Sequence, residues 1–403
     1  MSVPGATRAP RAWARCAPAA AGLCPQRTQD LLAELQREID RGRLPGAVVL
    51  LARRGQVALF ESLGVQDPAT RRPMASDAIF RIYSMTKPVV SLAVLRLMEQ
   101  GRVFLHDPVA RHLPEFAEPR VAVTGAEGQV TYRAPLRSAT VHDLLRHTAG
   151  LTYEFLGTSV VQQAYARAQI GSRERDNAAF SQLLASLPLA WDPGSVWEYS
   201  RATDVLGRLI EVITGESLAD HLQQTVFAPL GMVDTGFAVP ASEHHRIAEP
   251  FAQDPDGGVV MRVFDPRQPM PLQGGGGGLV STAADYARFL QCLLNGGVLD
   301  GVRLLGPRTV AFMTADHLGS IPVNGDLLPP GHGFGLGFAV RTHAGLASLP
   351  GSVGLYYWGG IAGTTFFVDP ALDLYALLLV QAPGQREEYR ALFRSLVYAA
   401  VMD

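Results

Sequence analysis

The chain has 403 residues, 47% of them hydrophobic and 18% charged, with a formal net charge of −2. This is a globular composition, large enough for two packed regions, and it lacks the basic surplus that would draw nucleic acid or an anionic membrane. No apolar run reaches membrane-spanning length, and Cys16, Cys24 and Cys292 form no metal or disulfide pattern, which fits a reducing, cytoplasmic compartment.

The first 26 residues, rich in Ala, Pro and Arg, are expected to be a poorly ordered leader. Their apolar run is broken at Pro18 and is too short for a signal peptide. Leu31, Leu32, Leu35 and Ile39 then mark an amphipathic helix that Gly42 and Pro45 terminate. Apolar runs at 47–52 and 56–63, separated by Arg53-Arg54-Gly55, predict a hairpin, and 78–82 a short strand.

The densest signal follows at Tyr83-Ser84-Met85-Thr86-Lys87-Pro88, which opens a long apolar segment with Leu92, Leu95 and Met98 at helical spacing. Pro88 suits a first helical turn, where backbone N–H groups have no partner within the helix. Ser84 and Lys87 then share one face. Of the 35 basic residues, 34 are Arg and one is Lys, Lys87. Only an amine can lose its proton near neutral pH when buried, so a serine with a buried lysine beside it is a candidate nucleophile and base.

Residues 102–274 carry several helical patterns and few strands. The expected organisation is a sheet domain from 27–110 and 275–403, with a mainly helical domain, 111–274, inserted. Within the insert, Thr140 caps a short helix containing His142 and Leu144-Leu145; with Lys87 present, no histidine base is needed and His147 is expected to be structural. Pro193-Gly194 delivers Tyr199 to a loop before a helix at 205–213, where packing alone would explain it. Five glycines, Gly274 to Gly278, lack the Lys-Ser/Thr of a phosphate loop and suggest close backbone packing near a cavity. Runs at 333–340, 352–358, 364–368 and 374–380 predict an antiparallel sheet, and 387–401 a closing helix over the same sheet face as the first.

Ser84-Met85-Thr86-Lys87, Leu144-Leu145-Arg146-His147-Thr148-Ala149-Gly150-Leu151, Tyr199-Ser200, Gly277-Gly278 through Asp285, and Trp358-Gly359-Gly360 occur in the order seen in one superfamily. After about residue 27 the chain resembles the serine β-lactamases and penicillin-binding proteins, in the branch holding class C β-lactamases and family VIII carboxylesterases. The resemblance implies an α+β fold: an antiparallel sheet flanked by helices, a mostly helical second domain, and a cleft between them. It also implies Ser84 as acylated nucleophile, Lys87 and Tyr199 sharing proton transfer, and an oxyanion hole from the backbone N–H groups of Ser84 and Ile361. Tyr153, Arg201, Trp358, Gly359 and Gly360 become candidate substrate-binding residues. No metal or cofactor is called for.

Two positions depart from the lactamase pattern. Arg201 stands where Asn usually follows Tyr-x, and Trp358-Gly359-Gly360 replaces Lys-Thr-Gly, the variant that the esterases and lovastatin-type acyltransferases carry. The expected function is therefore hydrolysis of a small-molecule ester with a short acyl group; an acyltransferase, an amide or lactam hydrolase, and a catalytically silent binding protein are the alternatives. Arg201, turned into the cleft, would restore the missing cation from another direction.

Overall fold

The computed structural model describes residues 14–403. Its centre is a hairpin of β1 (Gly46–Arg53) and β2 (Gln56–Asp67). Arg54 (φ 54°) and Gly55 (φ 72°) make the turn in the left-handed region that matches the twist of the strands. Every residue of β1 is buried, so its unbroken apolar run reads as a central strand covered on both faces.

Six further strands complete an eight-stranded antiparallel sheet: β3 (Arg72–Pro73), β4 (His332–Phe334), β5 (Ala339–Arg341), β6 (Tyr356–Gly359), β7 (Thr365–Asp369) and β8 (Leu374–Val380). The order is β4-β5-β6-β7-β8-β1-β2-β3, so the first strand of the chain pairs with the last. That pairing aligns Ala47 with Val380 and Arg53 with Leu374.

Five helices frame the sheet: α1 (Pro25–Asp40), α2 (Thr86–Glu99), α3 (Ala202–Thr214), α4 (Ala283–Leu294) and α5 (Arg386–Ala400). α1 and α5 cover one face, packing Leu31, Leu35, Tyr389, Phe393 and Val397 on Val49, Leu51 and Leu378. The opposite face packs on α2 and α4, and the same buried cluster continues into α3 and the helices Val160–Arg167 and Asn177–Ser186. The fold is α+β, as the sequence predicts. Among the described residues no helix is long and apolar enough to cross a membrane.

Several expectations change. The run 333–340 is two strands, because Gly335 and Gly337 turn the chain; Gly337 has φ 107°, and a Cβ there would stand 2.6 Å from Ser91 Oγ. In 352–358 only the part from Tyr356 pairs. The strand at 78–82 shrinks to Phe80–Arg81 and pairs with Val280–Ser281, outside the main sheet, which draws the chain before Ser84 against the glycine run. The intervening region also holds a hairpin, Val121–Thr124 with Val130–Arg133. Residues 1–13 of the expected leader lie outside the described residues. Its remainder is docked: Cys16 N–H donates to Val57 O at 3.1 Å, Cys24 N–H to Ala400 O at 2.8 Å, and Ala21 and Leu23 are buried. The apolar side chains in that stretch have a groove beside α1 and α5 to fill, which offsets the entropy of ordering it.

Candidate active site

Ser84 lies in a 3₁₀ turn, Tyr83–Met85, immediately ahead of α2. The preceding residue is strained: Tyr83 has φ 43°, a region that side-chain-bearing residues rarely occupy. Its ring holds it there, lying edge-on to Phe264 at 5.1 Å, while its hydroxyl accepts the Phe264 N–H at 3.1 Å. Thr86 Oγ1 accepts the Leu279 N–H at 3.1 Å, so the turn is also tied to the end of the glycine run.

Lys87, the second residue of α2, is fully buried. Its Nζ stands 3.3 Å from Ser84 Oγ, 3.0 Å from Tyr153 Oη and 2.6 Å from Gly276 O. Burial pulls its pKa down from 10.5 to about 7; the carboxylate of Asp204 opposes that and Arg201 reinforces it. Gly276 can approach this closely because it has no side chain: a Cβ would meet Asp204 Oδ2 at 2.8 Å and Tyr153 Oη at 3.0 Å. Close packing beside a cavity is thus what the glycine run provides.

Tyr199 completes the cluster from the loop before α3. Its hydroxyl accepts the Trp358 indole N–H at 3.1 Å. Burial raises its pKa, and the Ser84 hydroxyl and the Trp358 indole only partly offset the rise. Its ring is packed by Tyr153, His147 and Trp358 at centroid distances of 5.2, 5.0 and 5.1 Å. Tyr199 is held from the main chain as well. His147 O accepts the Glu198 N–H at 3.0 Å, and His147 Nδ1 accepts the Ser200 N–H at 3.2 Å, so one residue brackets the tyrosine on both sides. Nδ1 is therefore the acceptor, and burial, then the nearby Lys87, holds His147 neutral, which agrees with its expected structural part.

These groups sit at the floor of a cavity of about 820 Å³, lined among others by Ser84, Tyr153, Tyr199, Trp358, Gly359 and Ile361. The structure brings the sequence candidates together but changes three of them. Arg201 is no free cation: its guanidinium is ion-paired to Glu154, lies 3.6 Å from Asp204 Oδ2, and stacks 4.7 Å from the Tyr153 ring centroid. Gly360 stands behind the cavity wall, where a Cβ would lie 2.5 Å from Ile82 O, so it permits packing and does not touch a ligand. Trp358 spends its polar atom on Tyr199. Phe155 and Tyr357 line the cavity, Trp197 and Tyr356 belong to the core around it, and the half-buried Trp191 donates its indole N–H to Glu198 Oε2. Among the described residues no cluster of His, Cys, Asp and Glu could hold a metal ion.

A family model for beta-lactamase matches residues 28–399, nearly the whole described chain. The chain belongs to the beta-lactamase family. Within this family it is 37% identical over 380 residues to the esterase EstB of Burkholderia gladioli, covering 89% of this chain and 91% of that protein. Protein Rv1367c of Mycobacterium tuberculosis is 36% identical over 359 residues, covering 87% and 88%. Among solved structures of this fold, EstCE1, described as a hydrolase with promiscuous acyltransferase activity, superposes with a TM-score of 0.76 at 29% identity, over 92% of this chain and 98% of its own. Simvastatin synthase of Aspergillus terreus superposes with a TM-score of 0.76 at 25% identity, over 93% and 98%.

Sequence reasoning named one member of this beta-lactamase-family site for a different contact and missed two others. The Tyr153 hydroxyl faces Lys87, where a substrate contact was expected; Asp204 places an ionisable carboxyl at the cavity; and the Gly276 carbonyl anchors the amine. Only Asp204 left a signal, its place one helical turn after Tyr199-Ser200. The other two contacts arise between residues 66 and 189 positions from Lys87, which no local pattern records.

Proposed function

We propose that the chain is a serine carboxylesterase that cleaves small-molecule esters with short acyl groups through an acyl-enzyme on Ser84. The reaction takes place in the cleft between a sheet domain, 27–110 and 275–403, and a mainly helical domain, 111–274. The observation that carries this reading is the fully buried Lys87, its pKa pulled down to about 7, with Nζ 3.3 Å from Ser84 Oγ.

A neutral amine offers two N–H donors and one lone pair. Gly276 O takes one N–H, Tyr153 Oη the other, and the lone pair is left for the Ser84 hydroxyl. As Ser84 Oγ bonds to the acyl carbon, its proton passes to Lys87. The carbonyl oxygen becomes an oxyanion held by the backbone N–H groups of Ser84 and Ile361. Tyr199, kept protonated by burial, donates to the departing alkoxide and is reprotonated from the Lys87 side. Water then attacks the acyl carbon by the same steps in reverse, releasing the acid and freeing Ser84.

The Trp358 position supports an ester over a lactam. A penicillin carboxylate finds no lysine there, and Arg201 is already neutralised by Glu154. We expect hydrolysis of p-nitrophenyl butyrate at a kcat/KM about tenfold to a hundredfold above that for nitrocefin, the worth of one charge-assisted hydrogen bond. A fluorophosphonate adduct on Ser84 accompanies it. Comparable rates on the two substrates, or no adduct, overturn the reading.

Transfer of the acyl group to an alcohol in place of water is the second reading, favoured by the promiscuous acyltransferase activity described for EstCE1. It differs only in the acceptor. Free Cys16, Cys24 and Cys292 suit a reducing, cytoplasmic setting.

A further inference from the structure

Six arginines and three carboxylates line the cavity, a positive surplus on a concave wall. Half of the six arginines are paired with carboxylates. Arg201 is paired with Glu154 and Asp204, and Arg386 and Arg390 with Glu387. Arg394 is buried, donating to Pro350 O and lying over the Tyr357 and Phe367 rings, and Arg262 is exposed to solvent.

Arg173 is different. Among the described residues Arg173, like Arg262 and Arg394, has no carboxylate partner, and it is set apart by its anchors: Nη2 donates to Gly277 O at 3.2 Å, and the guanidinium lies 4.2 Å from the Phe264 ring centroid. Both anchors adjoin the nucleophile's turn. A Cβ on Gly277 would stand 3.6 Å from the Tyr83 carbonyl carbon, and the Phe264 ring packs on the Tyr83 ring. The guanidinium is thus held in one orientation on the cavity wall, close to the residue before Ser84, with most of its five N–H donors unused. Guanidinium does not give up its proton, so the charge stays.

We propose that this cavity selects esters carrying a carboxylate, and that Arg173 is the group that binds it, as a bidentate partner across from the reacting carbonyl. The inference rests on the esterase reading above and adds a substrate class to it. The anion site is built beside the glycine run and the Tyr83 turn, whereas Trp358 is held against Tyr199, so the charge stands on different residues from the Lys-Thr-Gly position. The helical segment supplies the charge that the Trp358 position lacks, and Phe264 fixes the plane of the fork so that little side-chain freedom is lost on binding.

Two substrate pairs test it and show which half of the ester carries the anion. p-Nitrophenyl hemiglutarate and its methyl ester place or remove a carboxylate on the acyl half; 4-acetoxybenzoate and its methyl ester do so on the leaving half. The readout is the ratio of kcat/KM, charged over neutral, in wild type and in Arg173→Gln. We expect that ratio to fall about tenfold to a hundredfold for one pair, the loss of a charge-assisted bidentate contact, and Arg173→Lys to keep part of it because charge survives without the fork. Unchanged ratios in Arg173→Gln overturn the inference, and so does an equal loss on charged and neutral esters in both variants, which marks Arg173 as a support for the Tyr83 turn. An enzyme active on neutral esters with unchanged ratios leaves the esterase reading standing; a wild-type chain that turns over none of the four esters removes both.

Discussion

The two sides of the candidate centre are assembled in different ways. On the α2 side, Ser84 and Lys87 are three residues apart on one turn, and a short stretch of chain fixes their separation once the helix starts. On the facing side, Tyr199 meets Trp358 across 159 residues, and its loop is held by His147 from a third segment. The α2 side is local and deeply buried. The tyrosine side is a convergence of two loops on β6, held by aromatic packing and a few hydrogen bonds. In the proposed reaction the pair that exchanges a proton is set by one turn of chain, and the group that serves the leaving alcohol faces the cavity.

The largest effects should come from the α2 side. Lys87→Arg keeps the charge and loses the ability to deprotonate, so kcat/KM on p-nitrophenyl butyrate should fall about 10³-fold, as far as in Lys87→Ala, while thermal unfolding shows both variants folded. Retention of more than a few per cent of activity in the arginine variant would move the base to Tyr199. The pH profile sharpens the same point. The buried amine is lowered to about 7 from 10.5, so its neutral form fills in as pH rises, and kcat/KM should climb through about pH 7 to a plateau. Burial raises the Tyr199 pKa, so no alkaline limb should appear below the ordinary tyrosine value of about 10. A profile rising only near pH 10 would make a tyrosinate the base.

Effects on the tyrosine side should be smaller and graded. Tyr199→Phe keeps the packing with His147, Tyr153 and Trp358 and should lower kcat about 10²-fold with KM little changed. Near-wild-type turnover would return Tyr199 to a packing part. Trp358→Phe removes the indole N–H that orients the hydroxyl, along with part of the ring that packs on Tyr199 and Phe334; the hydrogen bond is worth a net of about 0.5–1.5 kcal/mol, so about a threefold to tenfold loss in kcat is expected from it. If that loss persists unchanged in the Tyr199→Phe background, Trp358 acts by some route other than Tyr199, and the contrast between the two sides fails there.

The sequence by itself determined what is local or periodic. The 3.6-residue pattern placed α1 and α5, the Arg53-Arg54-Gly55 break placed the β1–β2 turn, the unbroken apolar run of 374–380 placed β8, and the lone lysine three residues after Ser84 marked the candidate pair. Each depends on neighbours within one or two turns of chain, which a pattern can record. The tertiary structure decided the rest. Gly337 broke one expected strand into two because α2 crosses it; Arg201 is held in an ion pair because Glu154, 47 residues away, folds onto it; and Gly276 reached Lys87 because only a residue without a Cβ fits between Asp204 and Tyr153. Arg173 was one of 34 arginines in the sequence. Its charge was set apart only when folding paired or buried most of the other cavity arginines, because whether a charge is spent depends on which groups arrive beside it in space.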